Sequence, residues 1–176
     1  MDEYETQACV IENISMGEYK VFLFTDIKDP SHYVDLMLLL TDSETRHVDF
    51  YINTLGGVSD TAEMLYHSIK NSTATTTAYL SGTVASAGTI IGLACGDVFI
   101  NDTTVFMVHD QEMDNLSGKA IDLMTYQVFT HKRSQELFNT VYGSILTPQE
   151  IASTLKGQQL WFTGKEINER LNKTKE

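Results

Sequence analysis

Ser86, His109 and the pair Gly56-Gly57 are the residues of this chain whose types and positions suit nucleophilic chemistry. A serine hydroxyl attacks a carbonyl only when a base takes its proton and N–H donors hold the oxyanion that forms. Ser86 lies in Ser81-Gly82-Thr83-Val84-Ala85-Ser86-Ala87-Gly88, a run of small residues between segments of opposite character. Residues 75–80 are β-branched and aromatic and predict a strand, whereas residues 88–95 are small and apolar and predict a buried helix. Ser86 is therefore placed at a helix start, where unpaired N–H groups and the positive end of the macrodipole favour developing negative charge. A serine there also serves as an ordinary N-cap, and the segment alone leaves both roles open.

The partners must come from elsewhere in the chain. Ile52-Asn53-Thr54-Leu55-Gly56-Gly57 ends a predicted strand in two glycines, which permit positive φ and leave N–H groups accessible to a bound group. Gly57 can thus donate to an oxyanion, or the pair can simply form a tight turn. His32, His47, His67 and His131 lie in predicted helices or at polar strand ends, where a solvated histidine needs no function. His109 differs, because it follows the apolar run Val105-Phe106-Met107-Val108 and emerges at a strand end, where open α/β sheets present functional groups.

The elements that must hold these residues alternate. Residues 20–25 predict a strand, and Asp29-Pro30 open a helix with Tyr33, Leu36, Met37 and Leu40 on one face. Residues 47–53 predict a second strand, with Val48, Phe50 and Ile52 alternating against Asp49 and Tyr51. Asp60 and Glu63 are expected to form a capping box for a helix carrying Met64, Leu65 and Ile69. Short strands follow at 98–100 and 104–108, then a long helix over about 119–141. Thr147 with Glu150, and Thr163 with Glu166, each have the spacing that starts a further helix. This alternation predicts an α/β domain with a largely parallel sheet.

Composition narrows the partners. With 42% hydrophobic residues and two prolines in 176 residues, the chain is expected to be one globular domain with a real core. A net charge of −12 argues against nucleic acid and against an anionic membrane surface as partners. Cys9 and Cys95 match neither a metal-ligand spacing nor a disulfide framework, so a reducing, cytoplasmic setting is expected, with no metal and no cofactor. The start, Met1-Asp2-Glu3-Tyr4-Glu5, is acidic, and no apolar run approaches the roughly 20 residues that span a bilayer.

Taken in order, these residues resemble the proteolytic subunit of the Clp (caseinolytic) serine protease family. Phe50 to Gly57 resembles the family's strand followed by Asn-Ser-Pro-Gly-Gly, with Thr54 and Leu55 in place of serine and proline. Ala85-Ser86-Ala87-Gly88 resembles its Ala-Ser-Met-Gly nucleophile segment, and Val105 to His109 resembles the strand that delivers its base. The resemblance covers about residues 21–169. It implies a ClpP/crotonase-like α/β fold of repeated strand-strand-helix units with a long handle helix. It further implies Ser86 as nucleophile, His109 as general base and the N–H groups of Gly57 and Ala87 as oxyanion hole. Peptide or unfolded-protein substrates follow, as does a ring-shaped homo-oligomer, with Tyr126, Phe129 and Phe138 of the long helix as candidate contacts.

The chain departs from the pattern at the third triad position. Counting back from Trp161 places Gln159 where the family has aspartate, and its neighbour Gln158 is no acid either. An amide oxygen can orient the histidine but adds no charge to stabilise the imidazolium, so attenuated activity is expected. Asp110, Glu112 and Asp114 follow His109 closely and are the alternative acids. Residues 1–18 do not match the family's axial segment, so the resemblance does not extend to docking an ATP-driven unfoldase. The expected organisation is a divergent N-terminal segment over 1–18, a protease domain over 19–171 and a polar tail over 172–176, a short and divergent member. Two other readings stand beside the peptidase: a weakly active or inactive structural subunit, and an acyl-CoA enzyme of crotonase type using the same N–H pair.

Overall fold

The computed structural model describes residues 7–111 and 117–173. Period-two alternation decides the central strand: Val48, Phe50 and Ile52 of β3 (His47–Thr54) are fully buried, while Asp49 and Tyr51 face the other way. β3 pairs in parallel with β2 (Glu18–Leu23) on one side and with β4 (Thr75–Ala85) on the other. β1 (Val10–Ser15) folds back on β2 as an antiparallel hairpin through Gly17, whose φ is 76°. This places sheet structure within the segment read as divergent from sequence. Between β2 and β3 lies α1 (Val34–Thr41), preceded by a 3-10 turn over Pro30–Tyr33. Tyr33, Leu36 and Leu40 are buried as expected, although the Asp29 side chain makes no capping bond.

β4 divides its edge between two neighbours. Its first half pairs with β5 (Asp97–Ile100) and its last residues pair with β6 (Val105–Val108), both parallel. The division falls at a bulge, where Gly82 adopts φ 68° and Thr83 N–H donates to Asn53 Oδ1 at 3.2 Å. A Cβ at position 82 would lie 3.0 Å from that Asn53 side chain. The bulge swings the end of β4, and the serine after it, toward the end of β6. β7 (Leu160–Thr163), which no sequence pattern marks, closes this edge antiparallel to β6.

α2 (Ser59–Asn71) and α3 (Ala87–Ala94) cover the buried face of the sheet, and α4 (Ala120–Tyr142) reaches α3. Tyr142 is fully buried, with its hydroxyl 2.7 Å from Thr89 Oγ1, which ties the end of α4 to α3. The capping boxes expected at Thr147 and Thr163 form: each glutamate accepts from its threonine N–H and each threonine hydroxyl accepts from the glutamate N–H. They start α5 (Pro148–Thr154) and α6 (Gly164–Lys173). The box expected from Asp60 and Glu63 does not form. α2 starts behind Val58 with no side-chain cap, and both carboxylates instead take the Arg133 guanidinium of α4. Of the long-helix residues proposed as contacts, Tyr126 and Phe129 are exposed, but Phe138 is only 4% exposed and packs on Tyr142 as core. Among the described residues no helix is long and apolar enough to cross a membrane.

Candidate active site

Ser86 is the only non-glycine with positive φ among the described residues, at φ 51° and ψ −120°. Such a conformation costs an L-residue about 1–3 kcal/mol and persists only where the surroundings over-determine it. Here the Ser86 N–H donates to Met107 O of β6 at 2.8 Å, and the Ser86 carbonyl accepts from Thr89 N–H at 2.9 Å and Thr89 Oγ1 at 2.7 Å. With both backbone groups pinned, the side chain is thrown off the turn. It makes no capping bond to α3, although Ser86 occupies the N-cap position. Instead Oγ lies 2.8 Å from His109 Nε2. For Oγ–H to donate to that nitrogen, the imidazole proton must sit on Nδ1.

The two glycines are required by contact as well as by φ. Gly56 has φ 110°, and a Cβ there would come within 2.7 Å of Ser86 Cβ. Gly57 has φ 142°, and its Cβ would overlap the Ile27 carbonyl oxygen. Ile27 N–H donates to Gly56 O at 2.7 Å and Val58 N–H donates to Ile27 O at 2.9 Å. Gly57 N–H between them has no backbone acceptor among the described residues. Thr54 Oγ1 accepts from Gly56 N–H at 3.1 Å, and its methyl lies where a Cβ on Gly88 would collide. Thr54 thereby sets the approach of this loop to α3. Ala87 is the first residue of α3, and an N–H at that position has no intrahelical acceptor.

Gln159 immediately precedes β7, and the last pair of the β6–β7 ladder is Val108 with Leu160. One step further along that antiparallel register brings His109 opposite Gln159. The Gln159 side chain is exposed, and among the described residues no hydrogen bond joins it to His109. The Gln158 backbone N–H turns back to Ser153 O at 3.2 Å. Asp110 Oδ1 accepts from the Gln111 N–H at 2.9 Å. Glu112 and Asp114 lie outside the described residues.

Burial pushes both thiols, Cys9 and Cys95, up to about 12, so neither is a thiolate at neutral pH. His47 is held on the exposed face of the sheet by Thr75 Oγ1 at 2.7 Å and Asp49 Oδ1 at 2.8 Å. Sequence reasoning missed Thr89, whose hydroxyl links the Ser86 carbonyl to Tyr142, because a single threonine in an apolar helix gives no pattern to read.

A largely parallel sheet that ends in a strained serine, with its Oγ 2.8 Å from a strand-end histidine, has the nucleophile-and-base geometry that acyl transfer requires. A solved structure of a ClpP1 mutant from Listeria monocytogenes has the same fold, with a TM-score of 0.67 and 21% identity over 86% of each chain. The ATP-dependent Clp protease proteolytic subunit 1 of Chlamydia caviae is 24% identical over 167 residues, which cover 91% of this chain and 87% of that one. The Clp protease family model matches residues 4–169, and the chain belongs to that family.

Proposed function

We propose that the chain is a serine endopeptidase that cleaves peptide bonds through an acyl-enzyme on Ser86. The contact of 2.8 Å between Ser86 Oγ and His109 Nε2, at a backbone held in a strained turn, carries this reading. Oγ attacks the scissile carbonyl while His109 Nε2 takes its proton. The oxyanion is received by the N–H groups of Gly57 and Ala87. His109 then returns the proton to the departing amine, the C–N bond breaks, and the acyl group stays on Oγ. Water, deprotonated by His109, attacks the ester and releases the acid, restoring the serine. Gln159 is the residue carried over to the third position, where its amide oxygen can orient the Nδ1–H tautomer but adds no negative charge.

Peptides and unfolded polypeptides are the substrates this reading implies, and a ring-shaped homo-oligomer is the working form. The exposed apolar residues Ile121, Met124 and Phe129 of α4 support an assembly face. The neutral side chain at Gln159 favours a second reading, a weakly active subunit whose main role is structural. A fluorophosphonate probe separates the two. Labelling of the wild-type protein that is lost in Ser86→Ala supports the peptidase; no labelling of a folded, assembled sample leaves the structural subunit.

A further inference from the structure

The carbonyl of Ser86 is held by more donors than a helix start requires. It accepts from Thr89 N–H at 2.9 Å and Ile90 N–H at 3.4 Å, as the carbonyl at the head of a helix does, and also from the Thr89 hydroxyl at 2.7 Å. Thr89 Oγ1 in turn lies 2.7 Å from the hydroxyl of Tyr142. A threonine hydroxyl carries one proton and a carbonyl can only accept, so that proton is committed to Ser86 O. The phenol must then donate to Thr89 Oγ1, and the chain runs in one direction, from the Tyr142 hydroxyl through the Thr89 hydroxyl to Ser86 O. Both side chains are buried, so water does not compete for either hydroxyl. Burial pushes the Tyr142 phenol up, which keeps it a donor at neutral pH.

A buried tyrosine needs a partner for its hydroxyl anywhere in a protein. What distinguishes this pair is where the chain ends. The Ser86 carbonyl and the Ala87 N–H belong to one trans peptide unit, whose atoms are coplanar and whose C=O and N–H point in opposite directions. Fixing Ser86 O toward Thr89 therefore fixes the Ala87 N–H on the other side of that plane. Ala87 N lies beside the Gly56-Gly57 loop, since a Cβ on Gly56 would come within 3.3 Å of it. The same bonds draw electron density toward Ser86 O and leave the Ala87 N–H a stronger donor, because linked hydrogen bonds polarise one another by roughly 10–30% each. Tyr142, at the end of α4 and 53 residues beyond Thr89, thus acts on the peptide unit that follows the serine.

We propose that Thr89 and Tyr142 are positioning residues for the oxyanion hole: together they aim and polarise the Ala87 N–H, so that the end of α4 sets how well the site holds negative charge. This assignment rests on the peptidase reading, in which that N–H receives the oxyanion. A neutral substrate carbonyl draws far less on the donor than the charged tetrahedral state does. Loss of the relay therefore lowers rate constants and leaves binding constants in place.

Two measurements on the full-length protein test it. In the first, saturation kinetics with a fluorophosphonate probe separate the first-order labelling constant from the probe's binding constant. Ser86 Oγ displaces fluoride from phosphorus, His109 takes the proton, and the phosphoryl oxygen seats in the oxyanion hole. Thr89→Val, which keeps the shape and removes the hydroxyl, should slow labelling about tenfold, less than the 10²–10³-fold or so lost with a whole oxyanion donor. Tyr142→Phe should slow it about threefold, because Thr89 still donates to Ser86 O. The double variant should label within about twofold of Thr89→Val alone, since Tyr142 acts only through Thr89. Thr89→Ser, which restores the hydroxyl, should recover the labelling constant, and the binding constant should stay within about twofold throughout.

The second measurement needs no reaction. Ser86-Ala87 is the only Ser-Ala pair in the sequence, so protein with NMR-active carbon at serine carbonyls and NMR-active nitrogen at alanine amides gives one peptide-bond correlation, from this peptide. The Ser86 carbonyl carbon should move upfield, as a carbonyl does on losing a hydrogen bond, in Thr89→Val and to a smaller extent in Tyr142→Phe, and should return in Thr89→Ser. A labelling constant unchanged in both Thr89→Val and Tyr142→Phe, a loss that falls on the binding constant instead, or a carbonyl resonance that stays in place in Thr89→Val would each overturn the assignment. Wild-type protein that is not labelled sinks the peptidase reading, and the resonance still decides the relay.

Discussion

Gly56 shows how narrowly the residues around Ser86 are specified. Its missing Cβ leaves room for Ser86 Cβ, which would otherwise be 2.7 Å away, and its φ of 110° strains any side chain. Gly56→Ala should therefore displace the serine turn and cut the fluorophosphonate labelling rate at least about tenfold, together with a loss of roughly 1–3 kcal/mol in denaturant unfolding. Gln159 makes the opposite prediction. If it holds the third position, Gln159→Asp should raise kcat on a fluorogenic peptide, by up to the 10⁴-fold or so that the reverse change costs in the serine-protease template. An unchanged rate would assign the orienting role to another group. The strand-end positions of Ser86, His109 and Gly57 were legible because each follows a recognisable strand. The orientation of Ser86 was not, since a cap and a nucleophile have the same local sequence.

At the scale of elements, α6 is locked to α5 by a bidentate pair: Arg170 reaches both Glu150 carboxylate oxygens at 2.9 Å and also donates to Ile145 O at 2.8 Å. The Arg170 guanidinium, with help from the Thr147 N–H and hydroxyl, lowers the Glu150 carboxyl from 4.5 to about 2. A carboxylate whose folded value is depressed adds stability that is fully present above its unfolded value and is lost as pH falls through the folded one. Acid titration of unfolding should show this contribution fading from about pH 4.5 down to about pH 2. In Glu150→Gln that part of the pH dependence should disappear, with lower stability than wild type at neutral pH. The threonine boxes at Thr147 and Thr163 were legible because every partner lies within four residues. Asp60 and Glu63 show the same spacing, but Arg133, more than 60 residues away, claims both carboxylates. β1 and β7 escaped notice for a related reason: as edge strands they are short and largely exposed, so burial leaves little alternation to read.

For the whole molecule, the first half of α4 is an exposed apolar face among the described residues. Ile121, Met124 and Val128 recur at helical spacing and are exposed, whereas Ser134, Phe138 and Tyr142 further along the same helix are buried against the domain. In the proposed ring, contacts between copies cover the exposed half. Light scattering after size exclusion should give a mass several times the 19.7 kDa of one chain, and Met124→Asp should shift it toward the monomer. A monomeric wild-type protein would refute the ring while leaving the Ser86–His109 contact untouched.

What the sequence by itself determined is the order of parallel strands and helices and the delivery of serine, histidine and glycines to strand ends. Those features follow from local periodicity and from the backbone freedom of glycine, which neighbouring residues alone decide. The tertiary structure decided how those ends meet. The Gly82 bulge redirects β4 from β5 to β6, and Thr89 and Met107 hold Ser86 in its strained turn. Each of these depends on register and packing between segments far apart in the chain. That is why a serine at a helix start became, only in three dimensions, a serine 2.8 Å from a histidine.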